Sequence, residues 1–178
     1  MSNKAFPAEE ETPSAITLRR LRATDGEAMA DLLMHEAIRN TFMVPDYQSR
    51  EEALHAFAGL YERSEGDILY IRAMCRQDQL IGFVLEAGYE ADTIEIGYVI
   101  HPDHQGHGYA TQGVKLALSE LAENGVARVK AGFFEGNHPS RRVMEKCGMT
   151  PTGETKTFCY REQMQRCIYY GKALNEEA

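Results

Sequence analysis

The sequence predicts an α/β fold of the mixed kind: a mostly antiparallel sheet of about seven strands with helices on both faces. Three observations predict it. Hydrophobic spacing switches between strand and helix periods in the order strand, two helices, three strands, helix, strand, helix, two strands. Polar turns at Arg76-Gln77-Asp78-Gln79 and Arg161-Glu162 join neighbouring strands into antiparallel hairpins. A long helix between two apolar strands makes a crossover in the middle of the chain. At 178 residues there is enough chain for one domain with a substantial core, and too little for two ordinary ones.

Residues 1–14 carry Glu9, Glu10 and Glu11 between Pro7 and Pro13 and contain no apolar run. They are expected to form a flexible arm rather than a signal or transit peptide, with residues 15–178 as the single domain. Residues 16–21 alternate in part and predict the first strand. Thr24 and Asp25 offer N-cap chemistry for a helix with Met29, Leu32, Leu33 and Met34 at helical spacing. Residues 40–47, with Pro45, predict a turn or lid. Ser49 and Glu52 form a capping box for a helix striped by Leu54, Phe57, Ala58 and Tyr61. Strands follow at 68–75, 80–87 and 93–100. Residues 108–124 predict a long helix with Val114, Leu118, Leu121 and Ala122 inward, stopped by Gly125. A strand at 126–134, a short helix at 139–146 stopped at Gly148, and strands at 153–160 and 163–170 complete the chain.

Composition narrows the function. Apolar content of 43% and charged content of 26% are those of a soluble globular protein. A formal charge of −8 argues against broad binding to nucleic acid or anionic membranes, which requires a positive surface. No apolar run approaches the roughly 20 residues that span a bilayer. Cys75, Cys147, Cys159 and Cys167 form no CxxC pair, so neither a zinc site nor a redox pair is expected. His101, His104 and His107 share a loop, but their spacing does not put three imidazoles on one face, and no metal is expected there. A reduced, cytoplasmic location is the default.

The most informative stretch runs from Ile100 to Thr111. A strand ends at Ile100, Pro102 breaks it, and Gly106 and Gly108 precede the long helix. Glycine allows close backbone approach, and first-turn N–H groups with the helix dipole behind them suit a phosphate or pyrophosphate. An ordinary strand–helix turn is the competing reading. The loop is not a GxxxxGK[ST] sequence, and Thr111 occupies the third glycine position of GxGxxG.

Gln105-Gly106-His107-Gly108-Tyr109-Ala110 matches the Q/R-x-x-G-x-G/A motif of the GNAT acetyltransferase superfamily. Asn137-His138-Pro139-Ser140, running on to Glu145-Lys146-Cys147-Gly148-Met149, resembles its second cofactor motif, and Leu21 to Glu27 resembles its opening. The resemblance covers roughly residues 16–172, and Glu95-x-Gly97-Tyr98 with Asn137-x-x-Ser140 most resembles the RimJ/RimL branch. It implies acetyl-CoA as cosubstrate and direct attack by a primary amine, either a protein N-terminus or a small molecule. It also implies cofactor contacts from Tyr98, Val99, Ile100, Gln105, Gly106, His107, Gly108, Tyr109, Ala110, Thr111, Asn137 and Ser140. A homodimer is implied only by analogy.

Direct attack requires a base for the ammonium proton and a donor for the leaving thiolate. Glu95, in a mostly apolar strand, is the base candidate; an outward-facing strand glutamate is the competing reading, since alternation puts it opposite Tyr98. The backbone N–H of Tyr98 is the candidate donor to the thioester carbonyl. Many family members place a tyrosine seven residues after the motif asparagine, where this chain has Met144. Ser140 is left as the acid candidate, with a helix-capping role as its alternative; Tyr160, Tyr169 and Cys159 are lesser acid candidates that also read as core. Arg141 and Arg142 are read either as phosphate contacts or as solvated helix residues. Thr41, Phe42, Met43, Tyr47 and Tyr61 lie where the family meets its acceptor. A non-catalytic acyl-CoA-binding or sensing module is the alternative function, motivated by Met144.

Overall fold

In the computed structural model, which describes residues 15–174, the chain runs through β1 (Thr17–Arg19), α1 (Gly26–Met34), α2 (Glu36–Arg39), α3 (Arg50–Glu65), β2 (Ile71–Arg76), β3 (Gln79–Glu90) and β4 (Thr93–Ile100). It continues through α4 (Tyr109–Glu123), β5 (Arg128–Phe134), α5 (His138–Lys146), β6 (Thr150–Tyr160) and β7 (Gln163–Ala173). The arm expected over residues 1–14 lies outside the described residues. The strands form one seven-stranded sheet in the order β1-β2-β3-β4-β5-β7-β6. Every neighbouring pair is antiparallel except β4 and β5, the strands flanking the crossover helix. The expected fold class is borne out.

Alternation along the strands sends alternate side chains to two separate cores. On one face α1 and α3 supply Met29, Leu32, Leu33 and Phe57, which pack on Ile71, Ala73, Phe83 and Val99. On the other, Val114, Leu118 and Leu121 of α4 and Met144 of α5 pack on Ile94, Ile96, Val129 and Phe133. β4 serves both cores, so its two faces border different helices.

Local chemistry explains where elements begin. Ser49 Oγ accepts from Glu52 N at 3.2 Å, and the Glu52 carboxylate accepts from Gln48 N at 2.7 Å, so the expected box at the start of α3 forms one residue wider. Asp25 differs from expectation. A 3₁₀ turn over Ala23–Asp25 precedes α1, and the Asp25 side chain makes no forward cap bond. Its carboxylate instead accepts from Arg22 N at 2.7 Å and from both Arg19 Nη atoms at 2.7 and 2.8 Å. Burial alone would raise this carboxyl, but the Arg19 and Arg22 bonds outweigh it and hold it below its ordinary range. The segment expected as a turn or lid is entered through α2, whose four residues are too few for a periodic signal.

Candidate active site

The site originates in an interruption of the sheet. β4 and β5 pair only at Thr93, Ile94 and Glu95 against Arg128, Val129 and Lys130. Beyond those residues the strands separate, while β4 stays bonded to β3 up to Ile100. His101 N donates to Ile81 O at 2.7 Å. Alternation along that ladder turns the main-chain groups of Gly97 and Val99 toward β3, and those of Tyr98 and Ile100 toward the gap left by β5. An unpaired strand edge therefore lines the wedge.

The wedge opens into a cavity of about 450 Å³, bordered by Gly97, Tyr98, Ile100, Gly132, Asn137 and Ser140. The loop before α4 forms its far end. Gly106 and Gly108 have φ of 82° and 77°, a conformation that favours glycine, and a Cβ built on either meets nothing within 4 Å. Among the described residues none accepts a hydrogen bond from the main-chain N–H groups of Gly106 through Thr111. The donors at the positive end of this 15-residue helix, with open space beside Gly106 and Gly108, are an arrangement that suits an anion. Gln105 Nε2 donates to Ile100 O at 2.9 Å, which ties the loop to the end of β4. A larger depression of about 680 Å³ lies at the opposite end of the strands, around Glu90, Arg128 and Lys172, and has no such donor row.

On the facing wall, Asn137 Oδ1 accepts from Ser140 N at 3.2 Å and caps α5, while its Nδ2 donates to Thr41 O at 3.4 Å. The capping role considered for Ser140 thus belongs to Asn137. Ser140 Oγ stands 3.0 Å from the Tyr98 hydroxyl, which also reaches Ser140 O at 3.0 Å.

A family model described as an acetyltransferase (GNAT) domain matches residues 15–150. The chain belongs to the GNAT acetyltransferases. It is 27% identical over 156 residues to the uncharacterized N-acetyltransferase YoaA of Bacillus subtilis, covering 82% of this chain and 85% of YoaA. Its fold matches a ribosomal-protein-S5-alanine acetyltransferase from Vibrio fischeri at a TM-score of 0.78, with 15% identity and coverage of 90% and 94% of the two chains. RimL, a ribosomal-protein acetyltransferase solved with coenzyme A, matches at 0.78, with 17% identity and coverage of 92% and 97%. The chain is therefore an acetyl-CoA-dependent N-acetyltransferase.

The face of the wedge turned away from α5 carries ionisable groups. Glu95 lies on this side, opposite Tyr98, because the bulge nearby falls in β3 at Ala87 and leaves the alternation of β4 intact. Its carboxylate is half-buried, 3.9 Å from Lys130 Nζ, and Lys130 also reaches Glu154 at 3.2 Å and Glu90 at 3.7 Å. Burial raises the Glu95 carboxyl above its ordinary range, Lys130 and Lys156 draw it back, and the net direction is upward. Beside it two glycines face the gap. A Cβ on Gly97 would stand 2.7 Å from the Phe42 ring, and one on Gly132 would stand 2.7 Å from Cys167 Sγ and 2.9 Å from the Tyr169 ring. Two aromatic rings thus roof the wedge on this side.

The GNAT fold brings together most of the residues expected from sequence, with exceptions. Val99 has its side chain in the α1–α3 core and its main chain turned to β3, which leaves no group for a cofactor arm. The His107 ring lies outside the cavity lining, 5.5 Å from the Tyr109 ring. Glu95 does not border the cavity; Gly97 stands between. Met144 is wholly buried in the core. Arg141 is an exposed partner of Glu145 at 2.8 Å, whereas Arg142 and Lys146 border the cavity. Of the acceptor-side candidates, Thr41 and Phe42 reach the cavity; Met43 is exposed, and Tyr47 and Tyr61 pack against the α1–α3 core. Sequence reading missed Lys130 and Gly132, and considered Tyr169 only as an alternative acid. The alternation of residues 128–134 puts Lys130 and Gly132 on one face, but only pairing with β4 and β7 shows which face that is. Among the described residues, no three His, Cys, Asp or Glu side chains converge as metal ligands. Among the same residues, no helix is long and apolar enough to cross a membrane.

Proposed function

We propose that the enzyme transfers the acetyl group directly from acetyl-CoA to a primary amine, a protein N-terminus or a small molecule, without an acyl-enzyme. The observation that carries this reading is the wedge: an unpaired strand edge that leads from the glycine loop before α4 to a gap bordered by Gly97, Gly132, Asn137 and Ser140. The N–H groups of Gly106, Gly108, Ala110 and Thr111 hold the pyrophosphate, with Gln105 bracing the loop. The edge at Tyr98 and Ile100 receives the pantetheine arm as a sheet receives an added strand, and Asn137 faces it across the gap. Tyr98 N–H donates to the thioester oxygen as negative charge grows there.

Glu95 approaches from the other face and accepts the proton of the incoming ammonium through a water that spans Gly97. Ser140 Oγ–H lies on the sulfur side and hydrogen-bonds the departing thiolate. Cys167, beside Gly132, is a poor nucleophile, since burial raises it above its ordinary range. The same reading treats residues 15–178 as one acyltransferase domain, with a cytoplasmic location and, by family analogy only, a homodimer. Its cysteines are free among the described residues, which suits a reducing compartment.

Intact-mass measurement after mixing with acetyl-CoA alone tests the direct route. The enzyme mass stays unchanged, and acetylated amine forms only once an acceptor is added. An acetylated enzyme that passes its acetyl group to the amine would overturn direct attack.

A further inference from the structure

The contact between Tyr98 and Ser140 goes beyond the roles given to those residues above. Tyr98 projects from β4 onto α5, and its hydroxyl stands 3.0 Å from both the carbonyl oxygen and Oγ of Ser140. Both residues border the cavity on the α5 side. The carbonyl can only accept, so the phenolic proton has two destinations. Directed to the carbonyl, it leaves the phenol oxygen to receive the Ser140 proton, and that hydroxyl turns away from the gap. Directed to Oγ, it frees the Ser140 proton to point into the gap. A strong acceptor in the gap favours the second arrangement, and a thiolate sulfur is such an acceptor.

We infer that Tyr98 is a positioning residue. Its phenol donates to Ser140 Oγ and turns the serine hydroxyl onto the coenzyme sulfur, so that two hydroxyls in series stabilise the leaving thiolate. The inference rests on the reading that puts Ser140 beside the sulfur. No proton need leave either hydroxyl. The amine nitrogen forms its bond to the acetyl carbon and loses one proton to Glu95, the carbon–sulfur bond breaks with its electron pair on sulfur, and a second amine proton or solvent neutralises the thiolate. The net change is ammonium plus thioester to amide, thiol and one proton.

Three features support the relay. Burial raises the Tyr98 phenol above its ordinary range, so it stays protonated and remains a donor through the working pH range. Met144, one helical turn beyond Ser140, is wholly buried and has no proton to offer. Hydrogen bonds in series polarise one another, so the second hydroxyl strengthens the first as a donor.

The bound coenzyme itself is the probe. Ultraviolet difference titration of CoA bound to the full chain reads thiolate formation without requiring a known acceptor. The relay predicts that Tyr98→Phe raises the pKa of the bound thiol by about one unit, a tenfold shift away from thiolate. Ser140→Ala raises it at least as far, and the double variant no further than Ser140→Ala alone. Tyr98→Phe keeps the ring and its packing, so the variant is expected to fold, with a stability cost on the order of 1 kcal/mol from the lost hydroxyl. An unchanged thiol pKa in Tyr98→Phe beside a raised one in Ser140→Ala overturns the relay and leaves Ser140 at the sulfur. An unchanged value in Ser140→Ala removes the serine from the sulfur, and the relay with it. Additive shifts in the double variant show that the hydroxyls act separately, which also overturns the relay.

Discussion

At the residue scale, Glu95 shows how one side chain becomes a base candidate through its surroundings rather than its identity. Burial opposes its ionised form, and Lys130 at 3.9 Å limits that effect. A base must be deprotonated to act, so activity falls as pH drops through the raised carboxyl pKa. The acid limb of the rate profile therefore lies above the value of an ordinary glutamate, about 4.3. Glu95→Gln abolishes that limb and lowers the turnover number by about a hundredfold or more, with CoA affinity nearly unchanged. Lys130→Met removes the cation and moves the limb to higher pH. Steady-state rates across pH for the three proteins check both statements. An unaltered profile in Glu95→Gln removes this residue as base. The residue type and its strand were legible in the sequence, and so was its place opposite Tyr98. The Lys130 partner was not, because that contact is made by pairing across the crossover rather than along the chain.

At the scale of elements, β4 and α4 were legible to within a residue or two, since each carries an uninterrupted period and a clear stop. β1 proved shorter than its pattern, and α2 gave no periodic signal. The separation of β4 from β5 could not be read from either strand alone. Both carry apolar side chains along their α4–α5 face to the end, and only the three-residue pairing reveals the wedge. The loop that joins β4 to α4 makes a sharper prediction. Gly108 holds φ of 77° with nothing within 4 Å of a built Cβ, so a larger residue there finds space in the fold and blocks the approach of a phosphate. Gly108→Val is expected to fold, with a stability cost on the order of 1–3 kcal/mol from the strained backbone. It is expected to lose CoA binding by calorimetry. Binding that survives in the folded variant would show that the pyrophosphate is held elsewhere.

At the scale of the whole molecule, the sheet keeps two cores apart and lets one gap communicate between them. The donor side, with Tyr98, Ser140 and the loop before α4, faces one core. The side with Glu95, Phe42 and Tyr169 borders the other. In the proposed reaction the acyl donor lies on the first side and Glu95 acts from the second. The donor was legible in the sequence because the glycine loop and the asparagine motif together resemble those of the GNAT superfamily; the glycines alone fit an ordinary strand–helix turn equally well. The acceptor was not, because the residues on the Glu95 side of the gap come from the segment after α2, from β5 and from β7, which meet only in the fold.

Release of CoA thiol from acetyl-CoA, measured against a panel of N-terminal peptides and small primary amines, tests the central claim most directly. Direct transfer predicts thiol release that depends on an amine and matches acetylated product one for one. Tight CoA binding with no acetyl transfer to any amine in the panel would contradict it.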